Sequence, residues 1–168
     1  ARRLPLLTPL LALLLARQGL AVLMHGSATE STRIFTSAVC TALDIPVATA
    51  LQPIAGGSVA FVPTALLSGG LQTLLDVRRT VGLRNSAHSL VKLMNPGAGS
   101  SLIIASYTHP QYARLMADTF TLLRADALLL RGTEGEPVAD PRREPQMDLF
   151  MGGVRTPVQA ARSGTLEA

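Results

Sequence analysis

Runs of apolar residues along the chain alternate between two lengths and two spacings. Longer runs with apolar side chains three and four positions apart predict helices, and short unbroken runs of Leu, Val, Ile and Ala predict buried strands. The pattern predicts strands at Leu20–Met24, Val59–Val62, Leu102–Ala105, Ala127–Leu130 and Met147–Met151. Strands that alternate with helices predict an α/β fold with a largely parallel central sheet flanked by helices.

Capping and turn residues set the bounds of the predicted helices. Thr8 is predicted to cap the first helix ahead of Pro9, and Thr108 to cap the last one ahead of Pro110. The predicted helices run from Thr8 to about Gln18, from Ser31 to Leu43, from Leu71 to Thr80, from Asn85 or Ser86 to Asn95, and onward from Thr108. The apolar face of the last helix is predicted to carry Tyr112, Leu115, Met116 and Leu123.

The first residues resemble a signal peptide, because Arg2 and Arg3 precede an apolar run from Leu4 to Ala16. Pro5 and Pro9 interrupt that run, and it is too short to span a bilayer. A buried helix that leads into a buried strand fits better. We therefore expect no membrane segment and a cytoplasmic protein.

A chain of 168 residues suits one domain, and we assign residues 1–168 to a single partial domain. The chain does not begin with Met, and the tail from Gly152 is predicted to have no partner element. We expect the domain to continue beyond both ends.

Composition indicates a folded aliphatic protein with a basic surface. Apolar residues make up 48 % of the chain, which argues against disorder. The formal charge is +4, and of the 15 basic residues only Lys92 is a lysine. Arginine suits phosphate and carboxylate partners, although arginine bias also follows from a GC-rich genome. Cys40 is the single cysteine, so we expect a small buried hydrophobe there.

The segment Gly82–Pro96, with the sequence GLRNSAHSLVKLMNP, carries cations at a helical spacing. Arg84, His88 and Lys92 lie four residues apart and would form one stripe on a continuous helix. Arg78 and Arg79 lie just upstream, at the end of the preceding predicted helix. Such a cluster suits phosphate groups. A solvated charged face, with two arginines favoured by the helix dipole, explains the pattern equally well.

Two further patterns are typical of ligand sites. His25 and Gly26 follow the first predicted strand, and ligands of α/β proteins bind at the carboxyl ends of strands. Glu134 and Glu136 alternate in a loop after a strand, so in an extended chain both carboxylates would face one Mg²⁺. An ordinary turn and a solvated acidic loop are the alternatives.

Taken together, these segments resemble the anthranilate phosphoribosyltransferase family, which is related to pyrimidine nucleoside phosphorylases. GLRNSAHSLVKLMNP resembles that family's G-x-R-T-x-F-N-x-x-G-P-L-x-N-P element, with matches at Arg84, Asn95 and Pro96. His25-Gly26 resembles its Lys-His-Gly-Asn-Arg element, and RGTEGEP occupies the place of its Asp-Gly-x-Asp-Glu metal loop. The resemblance implies a phosphoribosyltransferase/nucleoside-phosphorylase class II fold without its N-terminal helical domain.

The family's phosphate-binding residues are largely replaced in this chain. Met24 stands where the family has Lys, and Ser27 and Ala28 stand where it has Asn and Arg. Its Ser and Gly-Ser-x-Asp positions are not reproduced either, and the residues found there are Ile34, Phe35 and Ala38. RGTEGEPVADPRR and RNSAHSLVKLMNP resemble the YbiB-type branch of the family. That resemblance implies a homodimer that binds DNA or RNA with little sequence preference.

The main functional expectation is therefore nucleic-acid binding without catalysis and without a cofactor. Its expected contacts are Arg78, Arg79, Arg84 and Lys92, with His88 as a weaker candidate. The alternative is a Mg²⁺-dependent phosphoribosyl or glycosyl transferase with an unusual acceptor. Its ligand residues would be His25, Gly26, Arg84 and Asn95, and its metal residues Glu134 and Glu136. A metabolite-binding relic is a third possibility.

Overall fold

The computed structural model describes residues 6–29, 34–138, 140 and 144–160. The chain divides into two compact units, residues 1–91 and residues 92–168. The assignment of the whole chain to one partial domain stays a prediction.

A two-stranded parallel sheet organises the first unit. Strands β1 (Val22–Gly26) and β2 (Val59–Pro63) pair in register from Val22 opposite Val59 to Gly26 opposite Pro63. The helices of this unit are α1 (Thr8–Ala16), α2 (Thr36–Ala42), α3 (Thr64–Leu67), α4 (Gly69–Val81) and α5 (Ala87–Leu90). The predicted strands are confirmed, although β1 begins two residues later than the pattern indicates. Ladder bonding starts only at Val22, whose N–H donates to Ser58 O at 2.9 Å.

Small side chains bring α1 against the sheet. Its buried residues are Pro9, Ala12 and Ala16, whereas Leu10, Leu13 and Leu14 are exposed. The expectation of a buried helix holds for one face only, because alanines allow a closer approach to β1 and β2 than leucines would. The core of the unit contains Ala12, Ala16, Met24, Cys40, Ile45, Val59 and Phe61.

The ends of α4 follow ordinary capping chemistry. Ser68 Oγ accepts a hydrogen bond from Leu71 N at 3.3 Å, and Gly82 ends the helix with a φ of 75°. The next predicted helix is broken into α5 and a 3₁₀ turn at Val91–Leu93. Short 3₁₀ turns are frequent at the C-termini of α-helices, and Pro96 disfavours the α conformation at Asn95 beyond this one. Neither Thr8 nor Thr108 is a cap, because the N-cap residues are Leu7 and His109.

A mixed four-stranded sheet organises the second unit, with the order β3-β4-β5-β6. Its elements are β3 (Ile103–Tyr107), α6 (Pro110–Leu122), β4 (Ala127–Arg131), β5 (Met147–Met151) and β6 (Val154–Gln159). Only β3 and β4 are parallel, and β5 pairs antiparallel with both neighbours. The expectation of one largely parallel sheet was therefore wrong, although the α/β class is confirmed.

The tail from Gly152 has a partner, contrary to the sequence-based prediction. Gly152 and Gly153 have φ values of 56° and 80°, so they form a two-residue turn that pairs β6 with β5. Two residues with positive φ match the twist of a hairpin, and glycine takes that conformation without strain.

The buried face of α6 is rotated from the predicted one. Met116, Ala117 and Phe120 are buried, whereas Leu115 is 61 % and Leu123 62 % exposed. Tyr112 is also exposed, so of the predicted face only Met116 was correct. The ring of Phe120 packs on that of Phe150 with centroids 5.5 Å apart, and this aromatic pair sets the rotation of the helix. Each helix in the described ranges is too short or too polar to cross a bilayer.

Candidate functional site

The carboxyl ends of β1 and β2 carry uncharged polar groups. Met24 is 7 % exposed and packs in the core of the first unit, so His25, the next residue on the strand, lies on the opposite face of the sheet. His25 Nδ1, Ser27 Oγ and Thr64 Oγ1 are buried and have no hydrogen-bond partner in the described part of the chain. Burial lowers the pKa of His25, so its imidazole is neutral at pH 7. These strand ends therefore offer neutral polar atoms.

Gly26 ends β1, opposite Pro63. A Cβ atom added there would lie 3.5 Å from the Phe61 ring, which is an ordinary contact. Packing alone therefore does not require glycine at this position.

Arg79 joins the end of α4 to the segment that follows β1. Its Nη2 donates to Ala28 O at 2.6 Å, and its Nε lies 3.1 Å from Asp76 Oδ1. The other oxygen of Asp76 accepts from Gln72 Nε2 at 2.9 Å. Part of the donor capacity of Arg79 is thus used within the protein, although the side chain is largely exposed.

Arg78 in the last turn of α4 and Arg84 in the segment after it form a charged cluster with His88, because both charges act on its imidazole. The pKa of His88 is lowered by burial first and then by the positive charges of Arg84 and Arg78, against the opposing effect of Asn85. Arg84 is exposed, and its guanidinium has no hydrogen-bond or ion-pair partner among the described residues. This cluster therefore presents an available cation next to a neutral histidine.

The single stripe expected from the spacing of Arg84, His88 and Lys92 is not formed. Residues four apart share a face only on a continuous α-helix, and here Arg84 precedes α5 whereas Lys92 lies in the 3₁₀ turn. Lys92 belongs to the second unit, where its Nζ donates to Ser106 O at 3.4 Å. That ammonium group is half-buried and already engaged.

Asn95 closes its own turn. Its Oδ1 accepts from Gly97 N at 3.1 Å and from Ser101 Oγ at 2.9 Å. The family resemblance placed a ligand contact at this residue, and the structure shows that its acceptor already serves the local backbone.

Glu134 and Glu136 do not share one side of an extended chain. Residues Thr133 to Glu136 form a tight turn in which Glu134 and Gly135 have φ values of 51° and 90°. Glu134 is exposed and Glu136 is buried. The extended-chain premise was wrong, because residues 133–136 form a turn. Within the described ranges, no group of three His, Cys, Asp or Glu side chains is placed to hold a metal ion.

Several polar groups near these residues are not predicted from the sequence as functional. Ser27 stands out only as the replacement of the family's Asn, and Asn85 only as a helix cap. The residues around Thr64 do not predict that it is buried. Thr64 begins α3 directly after β2, and its burial depends on the parallel pairing of β2 with β1. The contact between Asn85 and His88 could have been predicted, because an asparagine at a helix start lies close to the residue three positions later.

Two curated proteins are similar to this chain. YbiB of Escherichia coli K12, which is named an uncharacterized protein, is 37 % identical over 160 residues, covering 89 % of this chain and 48 % of YbiB. Anthranilate phosphoribosyltransferase of Actinobacillus pleuropneumoniae serotype 5b is 29 % identical over 133 residues, covering 76 % of this chain and 40 % of the enzyme. The chain is homologous to both proteins. No protein-family model matches it.

The homology confirms the resemblance that the sequence motifs indicated. The chain spans about half the length of YbiB and two fifths of the transferase. Met24, which stands where the family's element has a lysine, is a buried core residue here. This position therefore contributes packing to the first unit and no charge to its strand ends.

Proposed function

We propose that this protein binds nucleic acid through its phosphate backbone, on a phosphoribosyltransferase-like fold, without phosphoribosyl transfer. The observation that carries the proposal is the exposed Arg84 guanidinium, which is unpartnered in the described residues and whose charge, with that of Arg78, acts on His88. Arginine donors in a fixed fork suit phosphate oxygens. A homodimer, as the family resemblance implies, belongs to the same proposal.

The strand ends support this choice over transfer chemistry. Phosphoribosyl transfer requires fixed cations and a metal-held diphosphate. Met24 supplies no charge there, His25, Ser27 and Thr64 offer neutral polar atoms, and the nearby Arg79 guanidinium is already bonded to Ala28 O and Asp76. Glu134 and Glu136 lie in a tight turn and not in the extended chain on which the shared Mg²⁺ site was expected.

The expected contacts differ in how available they are. Arg84 is the primary phosphate contact, and Arg78 supports it from the end of α4. Arg79 and Lys92 keep part of their donor capacity for Ala28 O and Ser106 O, so their contribution to phosphate binding is smaller. His88 is neutral and its Nδ1 contacts Asn85 Oδ1, so it contributes no charge to phosphate binding.

A salt titration of DNA and RNA binding by fluorescence anisotropy tests the proposal. Each lost phosphate contact should reduce the slope of log affinity against log salt by about 0.9 on duplex DNA. We expect R84A to show that reduction on every sequence alike, and R78A a smaller one. R17A is the matched control, because Arg17 is also exposed but follows α1, at the amino edge of the parallel strands. Equal slopes for R84A, R17A and the unmodified protein would refute the assignment.

A Mg²⁺-dependent glycosyl or phosphoribosyl transferase is the second candidate. The buried, unpartnered atoms of His25, Ser27 and Thr64 favour it, because such atoms suit a small polar ligand. Consumption of phosphoribosyl pyrophosphate with Mg²⁺ present tests this candidate. Turnover that is lost in H25A, with salt-insensitive DNA binding, would replace the first proposal by the second.

A further inference from the structure

The side-chain amide of Asn85 is fixed at both ends by backbone groups. Its Nδ2 donates to Leu74 O at 2.6 Å, and its Oδ1 accepts from Ala87 N at 3.1 Å. A carbonyl can only accept and an N–H can only donate, so the two partners define which end of the amide is oxygen. The orientation of Asn85 therefore follows from the backbone alone.

That orientation decides the tautomer of His88. Asn85 Oδ1 lies 3.1 Å from His88 Nδ1, and this oxygen has no proton to give. The proton of this bond must therefore reside on Nδ1, which leaves Nε2 as an acceptor. His88 Nε2 is buried without a hydrogen-bond partner in the described part of the chain. A free neutral histidine in water favours the Nε2–H tautomer, so the hydrogen bond to Asn85 accounts for the Nδ1–H tautomer of His88.

The same amide determines where Arg84 lies. Leu74 is one helical turn before Arg78 on α4, and its carbonyl is the ordinary acceptor for the Arg78 N–H in an α-helix. The bond from Asn85 to that carbonyl therefore ties the backbone next to Arg84 beside Arg78. The Arg84 guanidinium has no partner of its own among the described residues, so the tether and the Gly82 N–H bond to Arg78 O act on Arg84 through its backbone.

We infer that Asn85 is a positioning residue, which holds Arg84 beside Arg78 and fixes His88 as the neutral Nδ1–H tautomer. Its effect on binding rests on the proposed nucleic-acid function, whereas its effect on His88 does not.

The first arm of the test reads the tautomer directly. Nitrogen-15 NMR of the histidine rings distinguishes a protonated from an unprotonated ring nitrogen, and H88Q assigns the His88 signals. We expect Nδ1–H in the unmodified protein and a shift towards Nε2–H in N85A. N95A is the matched control, because Asn95 also caps its own turn. An Nε2–H tautomer in the unmodified protein overturns the inference, even if N85A does not fold.

The second arm measures coupling in binding. N85A should lower the salt slope by no more than R84A does, and the double variant R84A/N85A should bind no more weakly than R84A. Additive losses would show that Asn85 does not act through Arg84 and would overturn the positioning role.

N85D tests the acceptor separately from the donor. Its carboxylate still accepts from Ala87 N and His88 Nδ1 but cannot donate to Leu74 O, so Nδ1 should stay protonated at a pH above the titration of His88, where the ring is neutral. Loss of the Nδ1 proton in N85D would contradict the inference. If no nucleic acid binds even to the unmodified protein, the proposed function fails, and the tautomer arm still decides the role of Asn85.

Discussion

In residues 92–168 the buried carboxylate of Asp148 lies 2.8 Å from Arg155 Nη2 and 3.1 Å from Gln146 Nε2. In residues 1–91 the buried polar atoms of His25, Ser27 and Thr64 have no such partners in the described part of the chain. Buried polar groups are ordinarily hydrogen-bonded, and an unsatisfied one needs an explanation. Among the described residues, the second unit also leaves Thr133 Oγ1 and Asp148 Oδ1 unpartnered, but the other oxygen of Asp148 is paired with Arg155, whereas the first unit has three neutral polar groups without partners at the ends of parallel strands.

The hydrophobic cores of the two units differ in the size of their side chains. The second unit is organised around the aromatic pair of Phe120 and Phe150, both fully buried. The first unit packs small residues, among them Ala12, Ala16 and Cys40, around a single phenylalanine. A packed aromatic pair specifies one arrangement more strongly than small residues do.

The largest loss of stability should come from removing one ring of the pair formed by Phe120 and Phe150. Phe120→Ala should reduce the free energy of unfolding by about 3–5 kcal/mol, because it leaves a large cavity against Phe150. Cys40→Ala in the first unit removes one buried atom and should cost about 0.5–1.5 kcal/mol. Urea unfolding followed by circular dichroism measures both. Equal losses would show that the cores do not differ as described.

Removing either partner of the ion pair between Asp148 and Arg155 should reduce stability by a different amount. Arg155→Met leaves the Asp148 carboxylate buried without its cation, and we expect a loss of about 1–2 kcal/mol, since Arg155 is 47 % exposed. Asp148→Asn removes the buried charge and leaves Arg155 in solvent, so its loss should be smaller. Arg114→Met on α6 is the control for removing an exposed arginine. A greater loss in Asp148→Asn than in Arg155→Met would contradict this account.

The smallest expected effect is a pH dependence from the first unit. Burial lowers the pKa of His25, so the folded protein binds fewer protons than the unfolded chain as the pH falls below the ordinary value of about 6.5. The contribution of neutral His25 to the free energy of unfolding is complete above that value, and it is lost as the pH falls towards the pKa of His25 in the folded protein. His25→Gln should therefore lose less stability than the unmodified protein between about pH 7 and about pH 5. Parallel losses in the two proteins would show that His25 is not buried in its neutral form.

Homology sharpens the comparison without deciding the function. YbiB and anthranilate phosphoribosyltransferase both match the chain across most of its length. The polar groups at the strand ends and the cluster at Arg84 both lie in the first unit, so the variants at Arg84, Asn85 and His25 separate the two candidate functions.

Element type was largely predictable from the sequence, and element partners were not. The apolar runs at Val59 and Met147 gave strands at their predicted positions. The Gly152-Gly153 pair carried a hairpin signal that the assignment of an unpaired tail overlooked. The buried face of α6 was misassigned, because leucine spacing does not reveal that an aromatic partner on β5 fixes the rotation.

By itself, the sequence determined the α/β class, the family resemblance and the concentration of cations between Arg78 and Lys92. These properties depend on residue type and spacing along the chain, which local rules can read. Only the tertiary structure decided that Met24 is a core residue, that Glu134 and Glu136 lie in a tight turn, and that Asn85 ties Arg84 to α4. Hydrogen bonds and burial between distant residues depend on how the elements meet in space, and local spacing does not specify that.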